Sequence, residues 1–160
     1  MPPIGNLNDD ADPLFIFPLD FEGINNNRIK ITFDINHYFN AVATMKECLK
    51  DNRLSKFLPN VSLESDFFDF KKINNKIIHW HFSAFDKIAN PITNQISVEG
   101  CCPWMSQAVK EANFIEAAKF IIKNNKINNP RSVIFEVTDG DYSNRINSLK
   151  IADWFVKQGE

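Results

Sequence analysis

The stretch that decides the predicted fold runs from residue 67 to residue 84 and has the sequence FFDFKKINNKIIHWHFSA. It contains two runs rich in aromatic and β-branched residues, 67–73 and 76–84, which are separated by Asn74-Asn75. Residues of these types favour strands, and two asparagines suit the left-handed backbone of a two-residue hairpin turn. The stretch therefore predicts a β-hairpin, and with it a sheet whose strands are mainly antiparallel.

Two segments outside the hairpin have the helical period. Apolar residues recur every three or four positions over 38–58, with Asn36 as a candidate N-cap, and again over 106–124. Strict alternation of polar and apolar residues predicts a strand over 28–35. Further strands are predicted over 14–21, 95–99, 131–138 and 148–156. Hairpins with two segregated helices predict the α+β class, with a mainly antiparallel β-sheet and two principal α-helices.

The length of the chain, 160 residues, suits one hydrophobic core. Residues 1–12 are polar, acidic and proline-containing, which predicts a flexible N-terminal arm in front of a single domain over 13–160. No apolar run is long enough to cross a membrane, and the first residues lack the pattern of a signal peptide. Three cysteines in a chain of this size favour reduced thiols. We therefore expect a cytoplasmic protein with no membrane partner.

The charge balance bears on the choice of partner. The chain has 18 lysines and arginines against 20 aspartates and glutamates, which gives a net charge of −2. A dedicated nucleic-acid binder usually has an excess of basic residues on one face. We therefore expect no direct contact with nucleic acid, although an effector domain that acts on nucleic acid remains an alternative.

Two histidines in the second half of the predicted hairpin are the strongest candidates for chemistry. His79 and His81 stand two positions apart on one strand and therefore project from the same face, as a metal site or an acid–base pair would require. In the predicted hairpin the residues opposite them are Phe70 and Phe68, which cannot bind a metal. A third ligand would have to come from His37, from a cysteine or from a carboxylate. We expect no metal and no cofactor, and a small metal-dependent or histidine-based enzyme remains an alternative.

Other catalytic motifs are absent from the sequence. The chain has no nucleophile elbow, no glycine-rich phosphate loop and no dinucleotide-binding fingerprint. The adjacent Cys101 and Cys102 lack the Cys-x-x-Cys spacing of a redox motif. Asp139-Gly-Asp141 is too short for a calcium loop and predicts a turn. We therefore expect a protein without enzymatic activity.

Both faces of the predicted hairpin are apolar, whereas an antiparallel sheet commonly leaves one face polar. The face that holds the two histidines is predicted to hold these side chains: Phe68, Phe70, Ile77, His79 and His81. If the helices cover only the opposite face, these aromatic rings, rimmed by Asp66 and Asp69, form a surface whose composition is typical of protein interfaces. A helix on each face is the other arrangement that the pattern allows.

Two segments resemble the immunity proteins of contact-dependent growth inhibition and related bacterial polymorphic toxin systems. One is the aromatic strand Ile77–Phe82 in the middle of the chain, and the other is Leu149–Trp154, which is similar to the Ile-Ser-x-Trp endings of some of these proteins. The small size, slight acidity and richness in asparagine and isoleucine are also similar. The resemblance implies a non-enzymatic protein that binds the C-terminal domain of a cognate toxin, a nuclease, and occludes its active site.

This implied mechanism selects acidic and aromatic side chains as contacts. Acidic groups would match a basic nuclease cleft and raise the association rate, while aromatic rings would anchor the complex. The predicted partner-binding residues are Asp66, Phe68, Asp69, Phe70, His79, His81, Asp139 and Asp141.

Overall fold

The computed structural model describes residues 18–21, 24, 26–55, 66–90, 92–125, 130–139 and 143–160. The predicted N-terminal arm and Asp141 lie outside these residues. The first half of the strand predicted over 14–21 lies outside them as well, and its last four residues, Pro18–Phe21, form a 3-10 helix rather than a strand.

A three-stranded parallel sheet is the main β-structure of the described residues. The strands are β1 (Ile31–Asp34), β2 (Ile77–Phe82), β3 (Ala84–Phe85), β4 (Glu99–Cys101) and β5 (Ser132–Phe135). Strands β1, β2 and β5 pair in parallel in the order β1-β2-β5, while β3 and β4 form a small antiparallel pair. The fold is α+β, but the prediction of a mainly antiparallel sheet is wrong.

The predicted hairpin is not formed, because its first half contains a 3-10 helix. Residues Asp69–Ile73 make this helix, which buries Phe70 and Ile73. These two side chains are three positions apart, the spacing that aligns residues on one side of a 3-10 helix. Asn74 and Asn75 lie in the turn that follows, where the backbone N–H of Lys76 donates to the carbonyl of Ile73 at 2.9 Å. Strand β2 therefore pairs with β1 and β5 instead of with the preceding segment.

The helices agree better with the sequence pattern. They are α1 (Ile35–Lys50), α2 (Asn52–Ser55), α3 (Glu111–Asn124) and α4 (Ile146–Lys157). The helix predicted over 38–58 is present as α1 with α2 up to Ser55, beyond which residues 56–58 lie outside the described part. The helix predicted over 106–124 is present only from Glu111, as α3, and α4 is a third long helix where two principal helices were predicted. The strand predicted over 148–156 is wrong, since these residues belong to α4. Ile151 and Phe155, four positions apart, are the buried residues of that helix.

The hydrophobic core lies on one face of the parallel sheet. Phe33 of β1 and Trp80 of β2 pack edge to face with ring centroids 5.7 Å apart, and both are buried. Helices α1, α3 and α4 contact this face through further aromatic rings. Their ring-centroid distances are 5.4 Å for Phe33–Tyr38, 6.4 Å for Phe82–Phe114 and 5.1 Å for Phe82–Phe155. All three helices therefore pack on the side of Trp80 and Phe82.

The other face of the sheet, which we call the open face, is more accessible. Its strand residues are Thr32, His79, His81, Ser132 and Ile134, which are half-buried or exposed. The register runs Thr32↔His79↔Ser132 across the three strands, so these side chains lie side by side.

A β-bulge changes which isoleucine of β2 is buried. Ile77 pairs with Ile31 but His79 pairs with the next residue, Thr32, so Ile78 is an extra residue in β2. As a result Ile77 is buried together with Trp80, whereas Ile78 is 45% exposed. Simple alternation along the strand predicts the opposite placement of these two isoleucines.

We expect Phe70→Ala to destabilise the protein by about 3–5 kcal/mol, because it leaves a cavity under Trp80 and Phe33. Phe68→Ala is the matched control and should cost less, since Phe68 is only half-buried. Urea unfolding, monitored by tryptophan fluorescence, measures the free energy of unfolding of both variants. Equal losses for the two variants would contradict the assignment of Phe70 to the core.

Candidate functional site

Three polar side chains meet where the parallel strands end. Asp34 is the last residue of β1, His81 is the next-to-last residue of β2, and Glu136 follows β5 directly. Asp34 pairs with His81, and His81 pairs with Ile134, two positions before Glu136, so that all three share the open face. We call Asp34, His81 and Glu136 the carboxyl-end cluster. In open α/β sheets ligands bind outside this same edge, at the carboxyl ends of the strands.

The distances within the carboxyl-end cluster are short. His81 Nδ1 lies 3.0 Å from Glu136 Oε1 and 3.8 Å from Asp34 Oδ2. One nitrogen or oxygen atom from each of the three residues lies within 4.8 Å of the other two. Asp34 and His81 are mostly buried, with side chains 19% and 27% exposed, and Glu136 is the most accessible member at 47%.

A second ion pair extends the cluster along the edge of the sheet. His37, in the first turn of α1, donates from Nε2 to Glu99 Oε2 of β4 at 3.0 Å. Its Nδ1 lies 3.7 Å from Asp34 Oδ2. Five titratable side chains therefore follow one another from Glu99 through His37, Asp34 and His81 to Glu136.

Asp34 has a second role as the N-cap of α1. Its Oδ1 accepts a hydrogen bond from the backbone N–H of His37 at 3.1 Å, which satisfies one of the free donors of the first turn. The sequence pattern favoured Asn36 as the cap, but Asn36 lies inside α1 and is buried. The cap fixes one oxygen of Asp34 and leaves the other, Oδ2, toward His81 and His37.

The pKa values of Asp34 and His37 are both raised, which favours the neutral form of Asp34 and the charged form of His37. Burial raises the pKa of Asp34, although the charge on His37 and the bond from its backbone N–H oppose the increase. Burial favours the neutral form of His37, but the hydrogen bond to Glu99 and the charge on Asp34 outweigh it, so the pKa of His37 is above its ordinary value.

The two predicted histidines do share a face, but they have different partners. The centroids of the His79 and His81 rings lie 5.1 Å apart, and the ring planes are nearly perpendicular. His79 Nδ1 forms a hydrogen bond with the hydroxyl of Ser132 on β5. Phe68 and Phe70, the residues predicted to face them, are the N-cap and the second residue of the 3-10 helix and do not pair with β2, whose neighbours in the sheet are β1 and β5. Of the two histidines, His81 alone belongs to the carboxyl-end cluster.

The acidic residues predicted before the hairpin have local partners. The Asp69 carboxylate accepts from the backbone N–H of Asp66 at 2.7 Å and pairs with Lys72 at 2.8 Å. Burial opposes ionisation of Asp69, but the bonds from Lys72 and Asp66 lower its pKa overall. The carbonyl of Asp66 accepts a hydrogen bond from the hydroxyl of Tyr38. Phe68 lies under Lys71, whose Nζ is 4.5 Å from the ring centroid.

Asp139 is buried and anchors the start of α4. Its carboxylate accepts from the backbone N–H of Asn147 at 2.6 Å and from the hydroxyl of Ser148 at 2.6 Å. The hydrogen bond from Ser148 is the main reason that the pKa of Asp139 is below its ordinary value. This aspartate therefore has a structural partner in the protein, and Asp141, its predicted neighbour in partner binding, lies outside the described residues.

The cysteines have environments that disfavour thiolate chemistry. Cys48 and Cys102 are buried, and all three thiols are free. Burial, with smaller contributions from Cys101 and Asp139, raises the pKa of Cys102 to about 11. Because the thiolate is the nucleophilic form, Cys102 is mostly unreactive at neutral pH.

Two shallow grooves lie away from the open face. One, of about 440 Å³, is lined by Lys46, Lys50, Lys87 and residues around them, and the other, of about 400 Å³, by Lys71, Lys119, Lys123 and their neighbours. Neither groove includes a member of the carboxyl-end cluster. The carboxyl-end cluster therefore lies at the edge of the sheet and outside both grooves.

Comparison with protein-family models, with curated proteins and with solved structures finds no match to this chain. In the part of the chain that the structure describes, none of the helices has the length and apolar character needed to span a membrane.

We expect Glu99→Gln to lower the pKa of His37, because the variant removes the carboxylate that accepts from Nε2. Since the folded-state pKa of His37 is above 6.5, this group contributes stability that is fully present below pH 6.5 and is lost as the pH rises through the folded-state pKa. NMR titration of the imidazole carbons in buffer with a chelator measures the shift. Glu111→Gln is the control, because Glu111 bonds to Trp154 instead. An unchanged His37 titration in Glu99→Gln would contradict the ion pair.

We expect Asp139→Asn to destabilise the protein at neutral pH, because asparagine keeps only one of the two acceptor oxygens, whereas Asn147 and Ser148 donate to different oxygens of Asp139. The folded-state pKa of Asp139 lies below 3.8, so its contribution is present above that pH and is lost as the pH falls through the folded-state pKa. The stability gap between wild type and variant should therefore narrow in acid, as followed by thermal unfolding from pH 7 to pH 2. A gap that is constant over this range, or as large in the exposed control Asp153→Asn, would count against the capping role.

Proposed function

We propose that this protein is a non-enzymatic immunity protein that binds a cognate bacterial toxin through the open face of its parallel sheet. The observation that supports this most strongly is that, in the part of the chain that the structure describes, helices α1, α3 and α4 all pack on the same side of the sheet. Parallel sheets are usually covered on both faces. A protein partner that packs against the open face would complete this arrangement.

The side chains of the open face suit a protein interface. Ile134 of the open face is 47% exposed and pairs with His81, and Ile78, the bulge residue that precedes His79 in β2, is 45% exposed. Apolar residues surrounded by polar groups that are able to hydrogen-bond are typical of interface centres and rims. The two isoleucines would be the anchors, in place of the predicted Phe70, which is fully buried.

The charges at the edge of the open face suit a basic partner. Asp34, Glu99 and Glu136 lie along this edge and supply three carboxylates to it. A nuclease cleft is basic because it binds phosphates, so the acidic edge would steer the toxin and occupy its substrate channel. Of the predicted contacts, His79 and His81 are retained in this proposal, and Glu136, Ile78 and Ile134 are added.

The test is to measure complex formation with the C-terminal domain of the large secreted protein encoded directly upstream. We expect a one-to-one complex by size-exclusion chromatography and calorimetry at micromolar concentration. Glu136→Lys should weaken the complex by more than about tenfold, since it places a like charge against a basic surface. Glu47→Lys is the matched control and should leave the affinity unchanged, because Glu47 is similarly exposed, at 43%, but lies on α1.

Two results would overturn this proposal. One is the absence of a complex at micromolar concentrations, or of a secreted toxin in the neighbouring reading frame. The other is a Glu136→Lys variant that binds as tightly as the wild type. Expression of the protein on its own separates the alternative of a toxic effector domain, because an effector would arrest growth of its host whereas an immunity protein would not.

A further inference from the structure

We propose that Asp34, His81 and Glu136 form a binding site for one divalent transition-metal ion. The proposal goes beyond the immunity function and does not depend on it, because it concerns the isolated chain. It rests on the positions of three ligand atoms: Oδ2 of Asp34, Nδ1 of His81 and Oε1 of Glu136.

The spacing of the three atoms fits a small coordination sphere. Bonds of about 2.0–2.2 Å from zinc to nitrogen and oxygen place neighbouring ligands about 3.4 Å apart in a tetrahedron. The observed separations from His81 Nδ1, 3.0 Å to Glu136 and 3.8 Å to Asp34, lie on either side of that value. Shifts of a few tenths of an ångström bring both of these distances to that value. The separation between the Asp34 and Glu136 ligand atoms is within 4.8 Å, and Glu136, whose side chain is 47% exposed, is the ligand with room to move toward the ion.

The backbone holds these ligands on adjacent strands. Asp34 and His81 are direct register partners of β1 and β2, and Glu136 follows β5 on the far side of His81. Because the N–H of His37 engages Oδ1 of Asp34, the second oxygen is oriented toward the cluster. Metal sites commonly have such an outer hydrogen bond that orients a ligand.

The charges also favour a cation. Two carboxylates lie on either side of one imidazole, with ligand atoms within 4.8 Å of each other. Like charges at this separation repel each other, and a divalent ion between them replaces the repulsion with attraction. One nitrogen and two oxygen donors suit zinc and neighbouring transition metals better than magnesium or calcium, which prefer oxygen ligands alone.

Calorimetric titration of the chelator-stripped full chain with zinc chloride tests the site. We expect one ion per chain, with a micromolar or tighter dissociation constant. His81→Ala and Glu136→Gln should each weaken binding by more than about tenfold. Glu136 is the second variant because its exposed side chain can be changed without disturbing the core, and circular dichroism checks that both variants are folded.

His79→Ala is the matched control for metal binding, since it removes the neighbouring histidine on the same strand and face while leaving the three ligands in place. We expect it to retain the zinc affinity of the wild type. The proposal is overturned if zinc does not bind at millimolar concentration, if folded His81→Ala or Glu136→Gln binds as tightly as wild type, or if His79→Ala loses binding equally. Any of these results leaves the toxin-binding proposal standing, because that proposal is measured in the presence of the toxin domain.

Discussion

The central position of β2 between two parallel partners is the constraint on which the rest of the described structure depends. Parallel pairing with β1 and β5 turns Trp80 and Phe82 to one face, where α1, α3 and α4 cover them with aromatic rings. The same pairing turns His79 and His81 to the other face. Because parallel strands end at a common edge, it also gathers residues from three distant parts of the sequence at one place.

Asp34 connects the stability of this arrangement to its chemistry. One carboxylate oxygen caps α1, and the other faces His81 and His37. An aspartate in this position cannot be replaced without affecting both the start of the helix and the cluster. Asparagine preserves a capping oxygen but removes the charge, which makes it the substitution that separates the two roles.

Local patterns in the sequence predicted some elements and could not predict others. The helical period over 38–58 and 106–124 and the strand around His79 and His81 depend on near neighbours, and all are present. The prediction of a hairpin failed because Phe70 and Ile73, three positions apart, lie on opposite faces of a strand but on one side of a 3-10 helix. In the helix both side chains are buried in the core. The prediction of a strand over 148–156, where the structure has α4, failed for a different reason. The start of α4 is stabilised by Asp139, eight residues before the nearest bonded backbone N–H, that of Asn147.

The candidate site also has features that near neighbours in the sequence predict and features that depend on distant segments. Alternation along one strand predicts that His79 and His81 share a face, but the partners of each histidine depend on which strands lie beside β2. A hairpin places phenylalanines opposite them, whereas two parallel neighbours place Asp34 beside His81 and bring Glu136 to the same edge. The pairing of β2 with distant strands therefore determines which polar groups lie beside His79 and His81. The sequence offers the donors, and the parallel topology decides that His81 has carboxylate neighbours while His79 bonds to Ser132.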